Sequence, residues 1–469
     1  MRLLVGRAAA LSAALAAVLL VPQPASAAAQ LIGNGKFDSS TAPWAAIGQS
    51  GVTLESGKMR VEVKNVVSNP WDAMVASPIT TALTPGAKYT LSFDASSTVA
   101  YTARTTVQYT ATPSSNQSLA ADVPLTTAGK RYSIPFVATS ATNTAAEVTF
   151  QLGGSTGKPV IRFDNVSLMQ TQATRPTDLY VSNLSNPARW AASNSGDPRS
   201  GLIQASIGSK PIFEWFGNWF PDLTQAVDTY VGSAQAADKL PMLVAYNIPN
   251  RDACATESAG GAGTPEAYAA WITEFAKAIG TRHAIVVLEP DAVAAAECLL
   301  ADGKDPEVQY AMLANAIQVL RAEAPNTWVY LDAGNATWHT PAKTAPLLVK
   351  SGINNARGFS VNVSNYIKTA DSETWAAQLS ALLPTPKPYV IDTSRNANGP
   401  YSDSTPGDNW CNPPGRKLGT PPVKQTSGAE YLFWVKVPGD SDGQCGIAPA
   451  NTPAGTFSPF LATSLINGA

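Results

Sequence analysis

Near residue 175 the hydrophobic pattern of the chain changes period, and that change constrains the fold more than any single motif. From Leu31 to about Met169, short runs alternate apolar and polar residues, as at positions 59–63, 89–93, 105–109 and 148–152. Successive side chains of a strand point to opposite faces, so such runs bury one face and expose the other. Gly, Pro, Ser and Asn separate the runs, and no helical period is evident. This predicts an all-β sandwich, jelly-roll-like, over residues 30–170. After a short polar linker at 171–178 the pattern alters. Buried-strand runs at 211–216, 242–248, 284–289, 328–332, 358–363, 389–393 and 431–437 now alternate with helical stretches such as 223–239, 265–279 and 306–323. That alternation over 179–469 predicts a parallel α/β sheet wound by helices: a distorted, TIM-like barrel of seven strands.

Residues 1–27 have the three parts of a secretory signal peptide: basic Arg2 and Arg7, an Ala/Leu/Val run to Val21, and an Ala25-Ser26-Ala27 exit. The apolar run is shorter than the roughly 20 residues a bilayer span needs. Cleavage after Ala27 and secretion, with no membrane association, are the expectation. Four cysteines, Cys254, Cys298, Cys411 and Cys445, all lie in the second region. An even count in an exported chain indicates disulfides, and the CxxC pairs that zinc sites favour do not occur. Chain order allows three pairings. The local one, Cys254–Cys298 with Cys411–Cys445, would close two loops beside the acidic motifs below.

Several chemistries are excluded early. The only histidines are His283 and His339, too few for a His-rich metal site. A Walker loop and a GxGxxG turn are missing as well. Residues 439–443 match GxSxG formally, but the helix and later histidine of a nucleophile elbow do not follow. A formal charge of −2 without a basic stretch argues against nucleic acid. What remains is carboxylate chemistry or plain binding, with no cofactor and no metal assigned.

Acidic residues fall at one end of successive strand runs: Asp252 after the second, Asp291 after the third, Asp332 after the fourth, Asp392 after the sixth, and Asp440 with Asp442 after the seventh. Barrel chemistry sits at that end. Paired carboxylates there suit glycoside hydrolysis, in which one acid donates a proton and another handles water. An Asp after a strand is also a common turn former. Asp392 reads that way, among Thr393, Ser394, Arg395 and Asn396, and Glu289 before Pro290 could simply end its strand. Trp215, Trp219, Tyr246, Trp338 and Trp410 lie near the same rim, where aromatic planes can stack on sugar faces. Trp434 reads as core.

On these stretches (246–252 with Cys254, Leu288-Glu289-Pro290-Asp291, 330–334, 362–366, 392–399, 410–416 and 434–443), residues 179–469 resemble glycoside hydrolase family 6, the inverting cellulases. The resemblance implies a distorted seven-stranded barrel and an endo-β-1,4-glucanase acting on cellulose or a related β-glucan as a monomer. It implies Asp291 as general acid and Asp252 as the carboxylate that raises the acid's pKa and helps organise water. Asp442 matches the proposed base and Asp332 a further supporting acid. Tyr246 would press on the central sugar, Trp215, Trp338 and Trp410 would stack on neighbours, and Arg251 and Lys436 match polar substrate positions. The local cysteine pairing is also the family's. The chain departs from the pattern at Asp440, usually Glu and a sugar contact, at Asn335, usually His, and at Ala253, inserted between Asp252 and Cys254.

The stretches 31–38, 69–72 and 163–168 resemble the β-sandwich carbohydrate-binding modules of families 4 and 9. Trp71, Arg104, Gln108 and Gln151 are candidate cleft residues there; alternatively, Trp71 is core and the polar three decorate a sheet. Modules of this kind often hold a structural calcium, although no ligand cluster stands out here. The compact catalytic region favours an open cleft and internal cleavage. A cellobiohydrolase and a non-catalytic cell-wall glucan binder are the rival readings.

Overall fold

The computed structural model describes residues 30–113, 116–139, 145–154, 157–171, 174–255, 257–402 and 409–469. The signal-peptide stretch at 1–27 lies outside the described residues, as do positions 172 and 173 of the linker.

The first region is two five-stranded antiparallel sheets packed face to face. Its strands are β1 (Ala45–Gly48), β2 (Ser50–Glu55), β3 (Lys58–Val63), β4 (Ala73–Pro78), β5 (Lys88–Ser97), β6 (Tyr101–Tyr109), β7 (Gln117–Leu125), β8 (Lys130–Val137), β9 (Ala146–Gln151) and β10 (Val160–Gln170). One sheet runs β1-β4-β9-β6-β7 and the other β2-β3-β10-β5-β8. The alternation works as expected: in β3, Met59, Val61 and Val63 are buried while Lys58, Arg60 and Glu62 are not. Between the sheets Phe150 stacks on Phe163 at 4.1 Å and meets Phe93 edge-on at 4.8 Å. Each such buried ring contributes roughly 1.5–3 kcal/mol by leaving water.

In the second region, seven parallel strands follow chain order: β11 (Glu214–Phe216), β12 (Met242–Ala245), β13 (Ala284–Leu288), β14 (Thr327–Asp332), β15 (Gly358–Val361), β16 (Tyr389–Asp392) and β18 (Tyr431–Phe433). A two-residue antiparallel strand, β17 (Val423–Lys424), pairs with β18 at the edge and makes eight. No run in the sequence announced it. Across the seam the first and last parallel strands are joined by Phe213 N–H donating to Trp434 O (3.1 Å), and the Trp215 indole donates to Val435 O (2.8 Å). Every residue of β13 is buried, as a parallel strand covered on both faces requires. The helices Pro265–Ile279 and Pro306–Glu323 match their expected spans, started by Thr264 and Asp305 side-chain caps.

The two regions are docked. Strands β5 and β8 face the helix Leu223–Ala236, which explains why Thr90 and Ser92 are buried on the outer side of a sandwich sheet. Asp228 of that helix pairs with Arg131 of β8 (2.7 Å) and with Arg282 (2.8 Å), and accepts hydrogen bonds from Ser92 and Ser133 (both 3.1 Å). Burial alone would raise the Asp228 carboxyl, yet Arg282 and Arg131 together hold it below its ordinary value.

Candidate active site

The strands end early at the rim because carboxylates replace their ladder partners. Residues 246–248 leave β12 where Asn247 N–H and Ile248 N–H donate to the Glu289 carboxylate (2.9 and 3.0 Å). Beyond β18, Val435 N–H and Lys436 N–H donate to Asp392, which also accepts from Ser364 and Ser394 N–H (3.2, 2.9, 3.0 and 2.9 Å). Asp392 is thus the loop organiser expected of it. Glu289 does more than end a strand: it clamps the turn that leads to Asp252. Burial outweighs these bonds and pushes its carboxyl up to about 7.

The rim backbone is unusual. Asn250, Asp252, Glu289, Asp291, Asn362 and Ser364 all have positive φ, between 47° and 70°. Non-glycine residues pay about 1–2 kcal/mol each for this conformation, and they gather where the fold must aim side chains.

Asp252, Asp291 and Asp332 form one group. Asp332, fully buried at the end of β14, accepts from Asp291 N–H, Gly334 N–H and Ser360 Oγ, each at 2.9 Å. Burial still pushes it up to about 7. Burial, then the charges of Asp332 and Asp252, push Asp291 well above the carboxylate range. Burial also raises Asp252, against hydrogen bonds to its Oδ2 from Ser258 N–H (2.7 Å) and Ser258 Oγ (3.1 Å).

Asp442 has the opposite surroundings. Its Oδ2 accepts from Arg395 (2.7 Å), Asn412 N–H (3.1 Å) and Tyr366 OH (3.2 Å), while Oδ1 pairs with Lys436 (3.0 Å). Burial opposes ionisation, but Arg395 and Lys436 hold Asp442 well below the carboxylate range. Asp440, two residues earlier, is buried with Oδ2 bonded to Asn186 (2.9 Å). Burial pushes it up to about 7; Glu214 is also raised to about 7, by burial and then by Asp440's charge.

Two of the aromatic candidates meet each other at this rim. Tyr246 meets Trp215 edge-on at 5.1 Å, and its hydroxyl lies 3.0 Å from Ser258 Oγ. Arg251 lies over the rings of Tyr246 (5.1 Å) and the exposed Trp219 (5.3 Å), and donates to Ser258 O (2.9 Å). Trp338 and Trp410 are half-buried, whereas Trp434 is core. Asn335 closes a turn before Trp338, accepting from Thr337 N–H (3.0 Å) and Oγ1 (2.8 Å). The disulfides are Cys254–Cys298 and Cys411–Cys445, beside Asp252 and Asp442.

In the sandwich, Gln108 and Gln151 are buried on the outer side of β6 and β9. Gln108 accepts from Thr106 Oγ1 (2.8 Å) and donates to Glu147 (2.9 Å); Arg104 donates to Gln117 (3.4 Å). Trp71 is 55% exposed, so it is not core. Among the described residues no group of three or more His, Cys, Asp or Glu could hold a metal ion, and no helix is long and apolar enough to cross a membrane.

Sequence reasoning left out Arg395, Tyr366, Ser258 and Glu214 as site residues. Arg395 and Tyr366 carried a signal, their places inside the 392–399 and 362–366 stretches.

Comparison with known proteins identifies the family of each region. Residues 174–469 match the family model described as glycosyl hydrolases family 6, and 29–159 that described as carbohydrate binding domain. Endoglucanase 1 of Streptomyces halstedii is 45% identical over 299 residues, covering 63% of this chain and 90% of that protein. Endoglucanase 1 of Streptomyces sp. strain KSM-9 is 40% identical, over 60% of this chain and 75% of that protein. Among solved structures, the endoglucanase Cel6 from Mycobacterium tuberculosis, in complex with a thio-linked cello-oligosaccharide, superposes with a TM-score of 0.57 at 36% identity, over 63% of this chain and 99% of that one.

Proposed function

The chain belongs to glycosyl hydrolases family 6, and on that premise we propose that it cleaves internal β-1,4-glucosidic bonds of cellulose or a related β-glucan with inversion of the anomeric centre. The observation that carries this reading is the opposite surroundings of two aspartates on one rim, Asp291 beside Asp332 and Asp442 paired with Arg395 and Lys436. Asp291, kept protonated by burial and by Asp332 and Asp252, donates to the leaving oxygen. Asp442, kept ionised by Arg395 and Lys436, faces the positive charge that grows on the sugar ring. Asp252, fastened by Ser258, disfavours ionisation of Asp291 and orients water. Trp215, Tyr246, Trp338 and Trp410 supply stacking planes for successive sugars, and Arg251, Lys436 and Asp440 complete the polar lining. The sandwich would hold the glucan through exposed Trp71 and the Arg104, Gln108 and Gln151 face. The dock on the helix Leu223–Ala236 uses the other sheet, through β5 and β8, and leaves that face uninvolved. The N-terminal stretch and the two disulfides support export from the cell, and the enzyme needs no cofactor for this chemistry.

The test is viscometry of carboxymethyl-cellulose alongside reducing-end release, with the first product's anomer read by NMR. Internal cleavage with inversion predicts a fast viscosity drop and α-product. Cellobiose released without a viscosity drop would support chain-end attack, and β-product would refute inversion.

A further inference from the structure

If Asp442 is locked in ion pairs, it is a poor proton acceptor. Both of its oxygens are engaged, and Arg395 and Lys436 favour the ionised form strongly. Asp252 is fastened to Ser258. Asp332 is fully buried and spends its oxygens on Asp291, Gly334 and Ser360. A general base on the water side must be reachable and free to take a proton.

One carboxylate that sequence reasoning passed over meets those demands. Glu257 stands on the loop after Asp252, one residue before Ser258, and it is exposed. Its side chain extends to the opposite wall of the cleft: the carboxylate occupies the space that a β-carbon on Gly443 would need. Gly443 directly follows Asp442 and has φ of +155°, so the close approach and the backbone both call for glycine there. The negative charge of Glu257 also bears on Asp252. Glu257 therefore reaches from the loop of Asp252 to the backbone directly after Asp442.

We propose that Glu257 is a further catalytic residue, the carboxylate that accepts the proton of the attacking water. The inference rests on the hydrolase reading above. The water oxygen bonds to the anomeric carbon as that carbon's bond to the leaving oxygen breaks. The leaving oxygen takes the proton of Asp291, and the proton of the water passes to Glu257. Exchange with solvent then returns Glu257 to the carboxylate and Asp291 to the acid. Of the charged groups near Glu257, Asp252 interacts with it from its own loop, and on the wall of Gly443 the adjacent Asp442 is held by Lys436 and Arg395.

The experiment is steady-state kinetics of Glu257→Gln and Glu257→Asp on a soluble cello-oligosaccharide, across pH, with wild type alongside. The Gln side chain is isosteric and exposed, so the fold is retained. Glu257→Gln should lower kcat by about 10²-fold or more, with KM changed less than about threefold. The acid limb of its kcat/KM profile should flatten, and Glu257→Asp should restore part of the rate. A Gln variant with wild-type kcat and an unaltered acid limb overturns the proposal, and so does a raised KM with kcat intact. A wild type that releases no product would instead overturn the hydrolase reading itself.

Discussion

Asp291 and Asp442 are the same residue type, each beyond the C-terminal end of a barrel strand, Asp442 buried and Asp291 partly so. Burial pushes both toward the neutral form, and only Asp291 yields. The difference lies in the neighbours. Asp291 has carboxylates at its side and a backbone N–H spent on Asp332, whereas Asp442 has a guanidinium, an ammonium, a phenol and an amide pointed at it. Two like charges cannot both ionise cheaply in such surroundings, while a cation nearby repays the loss of water. The two walls of the cleft are thus a proton donor and a fixed negative charge, made from one side chain by its surroundings.

Removing the donor should produce the largest effect. Asp291→Ala is expected to lower kcat on unmodified cellulose by about 10³-fold, within the range of general acid catalysis. Binding of the polymer should persist, because the stacking residues and the sandwich are untouched. Pull-down on insoluble cellulose beside a reducing-sugar assay checks both halves, and full activity in the variant would remove Asp291 from its role.

Breaking the other wall should act through stability as well as rate. Arg395→Met leaves Lys436 as the one cation, among the described residues, paired with buried Asp442, which should cost about 3–5 kcal/mol at neutral pH in urea unfolding. The folded carboxyl of Asp442 lies below its ordinary value of 3.8, so its stabilising share is complete above that pH and fades as pH falls toward the folded value. The variant should therefore lose less stability than wild type on acidification below about pH 4. Equal acid slopes for the two proteins would mean that Arg395 does not set the charge of Asp442.

The halves of this comparison were unequally legible in the sequence. The acid wall is local: Asp252, Asp291 and Asp332 each sit at the end of an apolar run, so strand periodicity alone leads to them. Two helices, Pro265–Ile279 and Pro306–Glu323, were readable because caps and a Pro at the first turn mark their starts. The ion-paired wall depends on side chains that reach across the fold, as Arg395 does to Asp442 and Glu289 to Asn247, and such contacts leave no period to read. The same long reach misled the strand ends: residues 246–248 and 434–437 look like strand, but the N–H groups of Asn247 and Ile248 go to the Glu289 carboxylate and those of Val435 and Lys436 to Asp392 instead of a neighbouring strand. The edge strand Val423–Lys424 is two exposed residues long and has no hydrophobic signature at all.

The smallest expected effect tests how far the acid wall extends. Asn335, buried just past Asp332, holds a turn by accepting from Thr337 N–H and Oγ1, and the carbonyl of Asn335 accepts from Trp338 N–H (3.1 Å). Its side chain has no bond to Asp291 or Asp332. If the wall is confined to the carboxylates and their backbone donors, Asn335→Ala should cost only the turn, about 1 kcal/mol of stability. The loosened Trp338 should then raise KM a few-fold while kcat and its pH profile stay as in wild type. A shift in the basic limb of kcat would show instead that Asn335 helps set the proton on Asp291, and the donor wall would have to be drawn one residue wider.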